Sequence, residues 1–290
     1  MSEAAAAFES HRRHLIGLAY RMLGSIADAE DIVQEAWLRW QAEDRGDVRE
    51  PRGFLSKMVT RMCLDELKSA RVQREEYVGP WLPDPIVDES ALSPEAATEI
   101  AADLSIALLL ALERLSPLER AAFLLHDVFD VDFTEIAETL GRNEAACRQL
   151  ATRARANVAA ARPRFKPDAR EHARLLAAFA SAATKGDLQG LTQLLAKDAV
   201  LLADGGGKVA AAQKPIVGAD RVAKFVTGLV RKGVIPADLH LQLIRVNGLP
   251  GLVLSSHGYV FQTVSLEIVD GRIATIYTMR NPDKLKHLAH

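Results

Sequence analysis

The stretch Phe133 to Arg155, FTEIAETLGRNEAACRQLATRAR, decides how the first half of this 290-residue chain is read. Ile136, Ala137 and Leu140 make one short apolar stripe at helical spacing, and Cys147 and Leu150 make the stripe of a second helix. Gly141 stands between them, where a left-handed residue turns the chain at least cost. The pattern predicts a helix-turn-helix and leaves Arg142, Asn143, Arg148, Gln149, Thr152 and Arg153 facing outward. Such side chains bond phosphates and base edges, and a helix carrying them fits the major groove of DNA. From Gly141 to Lys166 the cations are Arg142, Arg148, Arg153, Arg155, Arg162, Arg164 and Lys166, against Glu144 alone. The competing reading of the same spacing is a helical hairpin whose solvated face is basic.

The chain is 49% hydrophobic and 26% charged, the composition of a soluble globular protein with room for two or three separate cores. No apolar run approaches the roughly 20 residues of a membrane span. The start, MSEAAAAFESHRRH, lacks the basic-then-apolar order of a signal peptide, so a cytoplasmic, reducing setting is expected. Two cysteines, Cys63 and Cys147, exclude a disulfide framework and a cysteine zinc cluster; no metal or cofactor is expected. The net charge of −2 hides segregation along the sequence, and local patches govern nucleic-acid binding.

Residues 11–40 predict two amphipathic helices broken near Gly24-Ser25. Leu15, Leu18, Ala19 and Met22 face inward on the first; Ile32, Val33, Ala36, Trp37 and Trp40 do so on the second, which begins with Asp28, Glu30, Asp31 and Glu35. Residues 51–74 predict a helix with Phe54, Leu55, Met58, Met62 and Leu67 available for a core and a basic face of Arg52, Lys57, Arg61, Lys68, Arg71 and Arg74. Between Glu75 and Glu99 the chain has seven acids, four prolines and no Lys or Arg, which reads as a stiffened acidic linker. Within it GPWLPDP is expected to dock, on this chain or on a partner, because an exposed Trp81 gains little in a spacer; Trp81 tucked against the nearer helices is the alternative. Residues 168–198 predict two helices, with Leu175, Leu176 and Phe179 on one and Leu188, Leu191, Leu194 and Leu195 on the other. From Val200 onward VLLAD, KVAAAQKPIV, LHLQLIRV, LVLSS, YVFQTVSLEIV and RIATIYTM predict strands, with a helix near Arg221–Lys232 and a hairpin turn at Asp270-Gly271. Two helices and a curled antiparallel sheet define an α+β unit.

This order of parts resembles the bacterial sigma factors of the extracytoplasmic-function (ECF) type, and the resemblance covers most of residues 8–165. WLPDP (81–85), DGGGK (204–208) and NPDKL (281–285) further resemble the marks of the subgroup with a fused SnoaL-like domain of the NTF2-like fold. Asp84 stands where that subgroup usually has Glu, and the charge is kept. The expected fold is therefore multidomain: two all-α helical domains followed by an α+β SnoaL/NTF2-like cone. The expected divisions are 1–74 (sigma region 2), 75–104 (acidic linker), 105–165 (sigma region 4) and 166–290 (regulatory domain).

The resemblance implies a transcription-initiation subunit, not an enzyme, whose partners are core RNA polymerase (β′ clamp helices and β flap) and promoter DNA. Asp31, Gln34 and Glu35 match clamp-contacting positions; their local reading is carboxylates favoured by a helix N-terminus. Lys57, Arg61, Lys68 and Arg71 match the segment that recognises the −10 element as a displayed single strand; Arg61 stands where many members have Asn. Asp65 matches a recurrent family acid and is expected to pair within the helix bundle. Arg148, Gln149, Thr152 and Arg153, with Asn143 beside them, would read the −35 duplex, while Arg142 and Arg155 suit phosphates. The linker's negative charge would imitate RNA in the polymerase. Trp81, Leu82, Pro83, Asp84 and Pro85 would meet Asp204, Gly205, Gly206, Gly207 and Lys208 together with Asn281, Pro282, Asp283, Lys284 and Leu285, so that the fused domain regulates the sigma core, with or without an unknown small ligand in its cone.

Two competing functions use the same parts. A SnoaL-like enzyme fused to a DNA-binding module would need an acid or base in the cone, for which His240, His257 and Asp204 are the candidates. A one-component regulator would bind operator DNA by itself under control of a ligand. The run DGGGK lacks the spacing and the Ser or Thr of a phosphate loop and reads as a flexible turn with a charged flank.

Overall fold

The computed structural model describes residues 3–42, 48, 50–88, 106–161 and 169–288, which form two compact units. The first contains residues 1–76 and 107–162, the second residues 77–106 and 163–290.

In the first unit, helices α1 (Glu3–Leu23) and α2 (Ile26–Ala42) are separated by Gly24, whose φ of 72° ends α1. Leu15, Leu18, Ala19 and Met22 are buried on α1, and Ile32, Val33, Ala36 and Trp40 on α2, as the 3.6-residue period requires, whereas Trp37, also expected inward, is half-buried at the edge with its ring 5.0 Å from that of Phe8. Helix α3 (Pro51–Glu75) buries Leu55, Val59, Met62, Cys63 and Leu67. The expected core positions Phe54 and Met58 are only half-buried, because the stripe that meets α1 and α2 runs one residue further round the helix; Phe54 packs at its rim, 5.8 Å from Trp40. His14 faces Ser56 of α3 at 3.1 Å, and burial lowers its pKa to about 4.

The unit continues with α4 (Ile106–Glu113), α5 (Pro117–Phe123), a π-helical turn (Leu124–Val128), α6 (Phe133–Leu140) and α7 (Glu144–Ala161). A capping box starts α5: the Ser116 side chain accepts from the Glu119 amide, and Glu119 accepts from the Ser116 amide. Arg120, 3% exposed, pairs with Glu113 at 2.8 Å and donates to the Met22 carbonyl, which joins α5 to the end of α1. The two cysteines are free and buried, Cys63 on α3 and Cys147 on α7.

In the second unit, α8 (Ala169–Lys185), α9 (Leu188–Leu194) and α10 (Ala219–Arg231) accompany a seven-stranded sheet. Its strands are β1 (Val87–Asp88), β2 (Leu195–Asp204), β3 (Ile216–Val217), β4 (His240–Val246), β5 (Leu249–Ser256), β6 (Tyr259–Val269) and β7 (Arg272–Met279), in the order β1-β4-β5-β6-β7-β2-β3. All pairs are antiparallel except β2 with β7. Leu176, Phe179, Leu191, Leu201, Val222, Leu252, Leu266 and Ile276 form the core between helices and sheet.

Three expectations change. Leu195 is not helical; it begins β2, five residues before the expected strand, because pairing with Ile273 recruits it to the sheet. Most of KVAAAQKPIV is loop, since Pro215 cannot donate to a ladder and only Ile216 and Val217 pair, with Leu201 and Val200. Residues 77–88 are not a separate spacer: they belong to the second unit, where β1 extends the sheet through Val87 opposite Val246 and Asp88 opposite Arg245. The acids Glu89, Glu95 and Glu99 and the cations Arg162, Arg164 and Lys166 lie outside the described residues.

A candidate nucleic-acid interface and a buried carboxylate clasp

Helix α6 ends at Gly141, whose φ of 62° and ψ of 42° make the left-handed cap that turns the chain into α7. Asn143 precedes α7, and its Oδ1 accepts from the Ala146 amide at 2.8 Å, so its side chain caps the helix. Arg148, Gln149, Thr152, Arg153 and Arg155 are all exposed on one side of α7, with Arg142 exposed in the turn before it, while Cys147, Ala151, Ala154 and Val158 are buried on the other. Arg148 donates to Glu144 Oε2 at 2.6 Å and lies over the Phe133 ring at 5.3 Å, which fixes its direction. The hydrogen bond from Thr134 and that from Arg148 hold the Glu144 carboxyl below its usual pKa. Arg155 pairs with Asp127 at 2.6 Å, and Thr152 donates to the Arg148 carbonyl, so Gln149 and Arg153 are the members of the set with no partner among the described residues.

Asp31, Gln34 and Glu35 are exposed on α2, and Glu35 accepts from Arg39 at 2.5 Å. On α3, Lys57 pairs with Glu138 of α6 at 2.7 Å. Arg61 donates to the carbonyls of Glu138 and Thr139, at 2.9 and 3.1 Å. These carbonyls belong to the last turn of α6, which has no amide partners of its own, so a cation there satisfies them. Two cations of the basic face of α3, Lys57 and Arg61, are thus engaged by α6. Lys68 pairs with Asp65 at 2.6 Å, and both are exposed; Asp65 makes a local i,i+3 surface pair instead of the expected pair inside the bundle, because its position on α3 points to solvent. The Arg71 side chain lies outside the described residues.

The second unit is organised around Asp204, the last residue of β2 and 0% exposed. Its Oδ1 accepts from the Tyr77 hydroxyl at 2.5 Å and from the Gly206 amide at 3.0 Å. Its Oδ2 accepts from the Leu82 amide at 2.9 Å and from Lys284 Nζ at 3.0 Å. Its carbonyl accepts from the amides of Arg280 and Asn281. Lys284 also donates to the Leu82 carbonyl at 2.5 Å, and its Nζ stands 4.2 Å from the Trp81 ring centre and 5.1 Å from that of Tyr77. Asn281 caps the short helix α11 (Pro282–Leu285) through the Asp283 amide and donates to the Tyr77 hydroxyl at 2.9 Å. Burial, then the bond to Asp204, pushes the Tyr77 hydroxyl above its usual pKa.

Leu82, Pro83, Asp84 and Pro85 are buried, His287 bonds the Pro85 carbonyl at 2.7 Å, and Asn247 bonds the Ile86 and Asp84 carbonyls through its backbone and side chain. Lys208 pairs with Asp283. The three motif segments therefore meet in one clasp. DGGGK is a turn with a charged flank, as expected, and a packed one: a Cβ on Gly206 would lie 2.3 Å from Asn281 Nδ2 and one on Gly205 would lie 2.6 Å from the Val209 carbonyl, so the glycines permit close packing. Tyr77, Asn247 and His287 are clasp residues that motif reading missed; the Asn247-Gly248 pair at a hairpin turn was the one sequence signal among them. The catalytic candidates His240 and His257 are exposed, away from the interior, and Asp204 is fully engaged in the clasp.

Residues 7–72 match the family model for sigma-70 region 2 and residues 105–158 that for sigma-70 region 4. The chain is thus a subunit of the class that binds core RNA polymerase and promoter DNA. It is 41% identical over 290 aligned residues to ECF RNA polymerase sigma factor SigJ of Mycobacterium tuberculosis, covering 96% of this chain and 91% of that protein. It is 34% identical to the protein named probable ECF RNA polymerase sigma factor SigI of the same organism, covering 98% and 95%. The crystal structure of M. tuberculosis SigJ superposes with a TM-score of 0.76 at 38% identity, covering 97% of this chain and 98% of that one. The chain belongs to the ECF sigma factors, alternative sigma factors that direct transcription, with two helical sigma domains and a C-terminal α+β domain. No helix among the described residues is long and apolar enough to cross a membrane.

Proposed function

We propose that this sigma factor is regulated from within by its C-terminal domain, acting through the clasp. The observation that carries the reading is Asp204: a fully buried carboxylate that binds the start of the linker (Tyr77, Leu82) and the C-terminal segment (Lys284) at once. Tyr77 follows α3 by two residues in the sequence, so the state of the clasp sets how much chain is free between the sigma regions. With the clasp closed, residues 77–88 are held as part of the domain; with it open, they return to the linker and lengthen its reach.

In this account Asp31, Gln34 and Glu35 meet the β′ clamp helices, and region 4 meets the β flap. Lys57, Arg61, Lys68 and Arg71 meet the −10 strand, which requires Lys57 and Arg61 to exchange α6 for phosphates. Arg148, Gln149, Thr152 and Arg153 read the −35 element, Arg142 and Arg155 hold its backbone, and Asn143 positions the helix that reads it. The C-terminal domain binds and regulates without catalysis, and the protein works in the cytoplasm. The test is deletion of Asn281–His290 in transcription with core polymerase: promoter-dependent output changes while both helical domains stay folded. Unchanged output would remove the regulatory role of the clasp.

A further inference from the structure

Helices α8 and α10 and strands β2 and β4–β7 enclose a cavity of about 390 Å³, within the size range of small-molecule sites. Its walls are mainly alanine, leucine, valine, isoleucine and phenylalanine, with Thr184, Gln262 and Thr278 among them, and its described lining holds no Asp, Glu, His, Cys, Ser or Tyr. The described lining offers no carboxylate, imidazole or thiol for acid–base chemistry, whereas its apolar walls suit binding. Two cations reach the lining, the exposed Lys232 and the half-buried Arg280.

Arg280 makes no ion pair among the described residues. Its Nη1 donates to the Ala210 carbonyl at 2.6 Å, and its buried Nε has no hydrogen-bond partner among the described residues. Desolvation lowers the pKa of its guanidinium. A half-buried cation without a counter-charge has lost part of its hydration, and an entering oxyanion offsets that loss. The planar fork of a guanidinium matches a carboxylate, and the apolar walls favour a hydrocarbon body. We infer that the cavity is a binding site for a small apolar monocarboxylic acid, its carboxylate held by Arg280 and its body by the aliphatic and aromatic walls. The residue that holds the acid is also the one whose amide bonds the Asp204 carbonyl, at 2.7 Å, so the site adjoins the clasp.

The site stands apart from the regulatory reading, and its test uses the full chain without polymerase, so failure here leaves that reading untouched. Octanoate and 1-octanol are titrated calorimetrically at pH 7. Octanoate binds roughly ten- to a hundredfold more tightly than the neutral alcohol, the worth of a charge-assisted hydrogen bond. Arg280→Gln abolishes that preference, and Ala183→Leu, which narrows the cavity without touching Arg280, weakens both ligands. No octanoate binding, equal binding of acid and alcohol, or a preference that survives in Arg280→Gln would each overturn the proposal.

Discussion

Asp204→Asn keeps the size of the side chain at the centre of the clasp and removes its charge. The two carboxylate oxygens accept four hydrogen bonds, from Tyr77 and Gly206 on one oxygen and from Leu82 and Lys284 on the other. An amide has one accepting oxygen, so its NH₂ must face one of these donor pairs, and in either orientation Lys284 loses its counter-ion. Removing one member of a buried ion pair costs roughly 3–5 kcal/mol. Lys284 retains the Leu82 carbonyl and is 12% exposed at its side chain, which places the cost at the low end, about 3 kcal/mol for releasing residues 77–88. At about 1.4 kcal/mol per factor of ten, the Leu82 amide should exchange with solvent on the order of a hundredfold faster. Hydrogen–deuterium exchange of the full chain reads this directly, with peptides from β6 as the internal reference. If exchange across residues 77–88 stayed within roughly threefold of the parent protein, the clasp would not be held by Asp204 and the reasoning would be wrong.

Gly206→Ala should loosen the same segment, because its φ of 59° disfavours alanine and the new Cβ displaces Asn281 from Tyr77; unaltered exchange at residues 77–88 would contradict this. His14 has a folded pKa depressed to about 4, so its contribution to stability is complete above pH 6.5 and is lost as pH falls from 6.5 toward 4. Urea titrations across that window should show the loss in the parent protein and a flatter profile in His14→Gln. Arg148→Ala should relax promoter choice at one −35 position by roughly 1–3 kcal/mol, whereas Arg142→Ala should weaken all promoters alike; competition binding among −35 variants separates the two.

The helix-turn-helix was legible because its signals are local: a stripe three and four residues apart, a glycine that must take positive φ, and cations on the remaining face. The same period placed the cores of α1 and α2. On α3 it misjudged the face by one position, since Phe54, Leu55, Met58, Val59, Met62 and Cys63 offer two overlapping stripes and only the packing of α1 and α2 chooses between them. The meeting of the three motifs was expected from the family resemblance alone; local sequence did not show that Asp204 is its centre or that Tyr77, Asn247 and His287 join it. Asp204, Tyr77, Leu82 and Lys284 are far apart in sequence, and nothing local distinguishes a buried acid followed by glycines from a flexible turn. Arg280 was invisible for the same reason: its meaning comes from a cavity wall built by several elements.

The measurement that bears most directly on internal regulation is promoter-dependent transcription by core polymerase with the parent protein and with Asp204→Asn, alongside a pull-down on core. The account predicts that both capture core equally, that the parent protein starts transcription where core alone is silent, and that the variant changes the output of the same promoter. Equal output from the two proteins, with the clasp opened as judged by exchange, would contradict it.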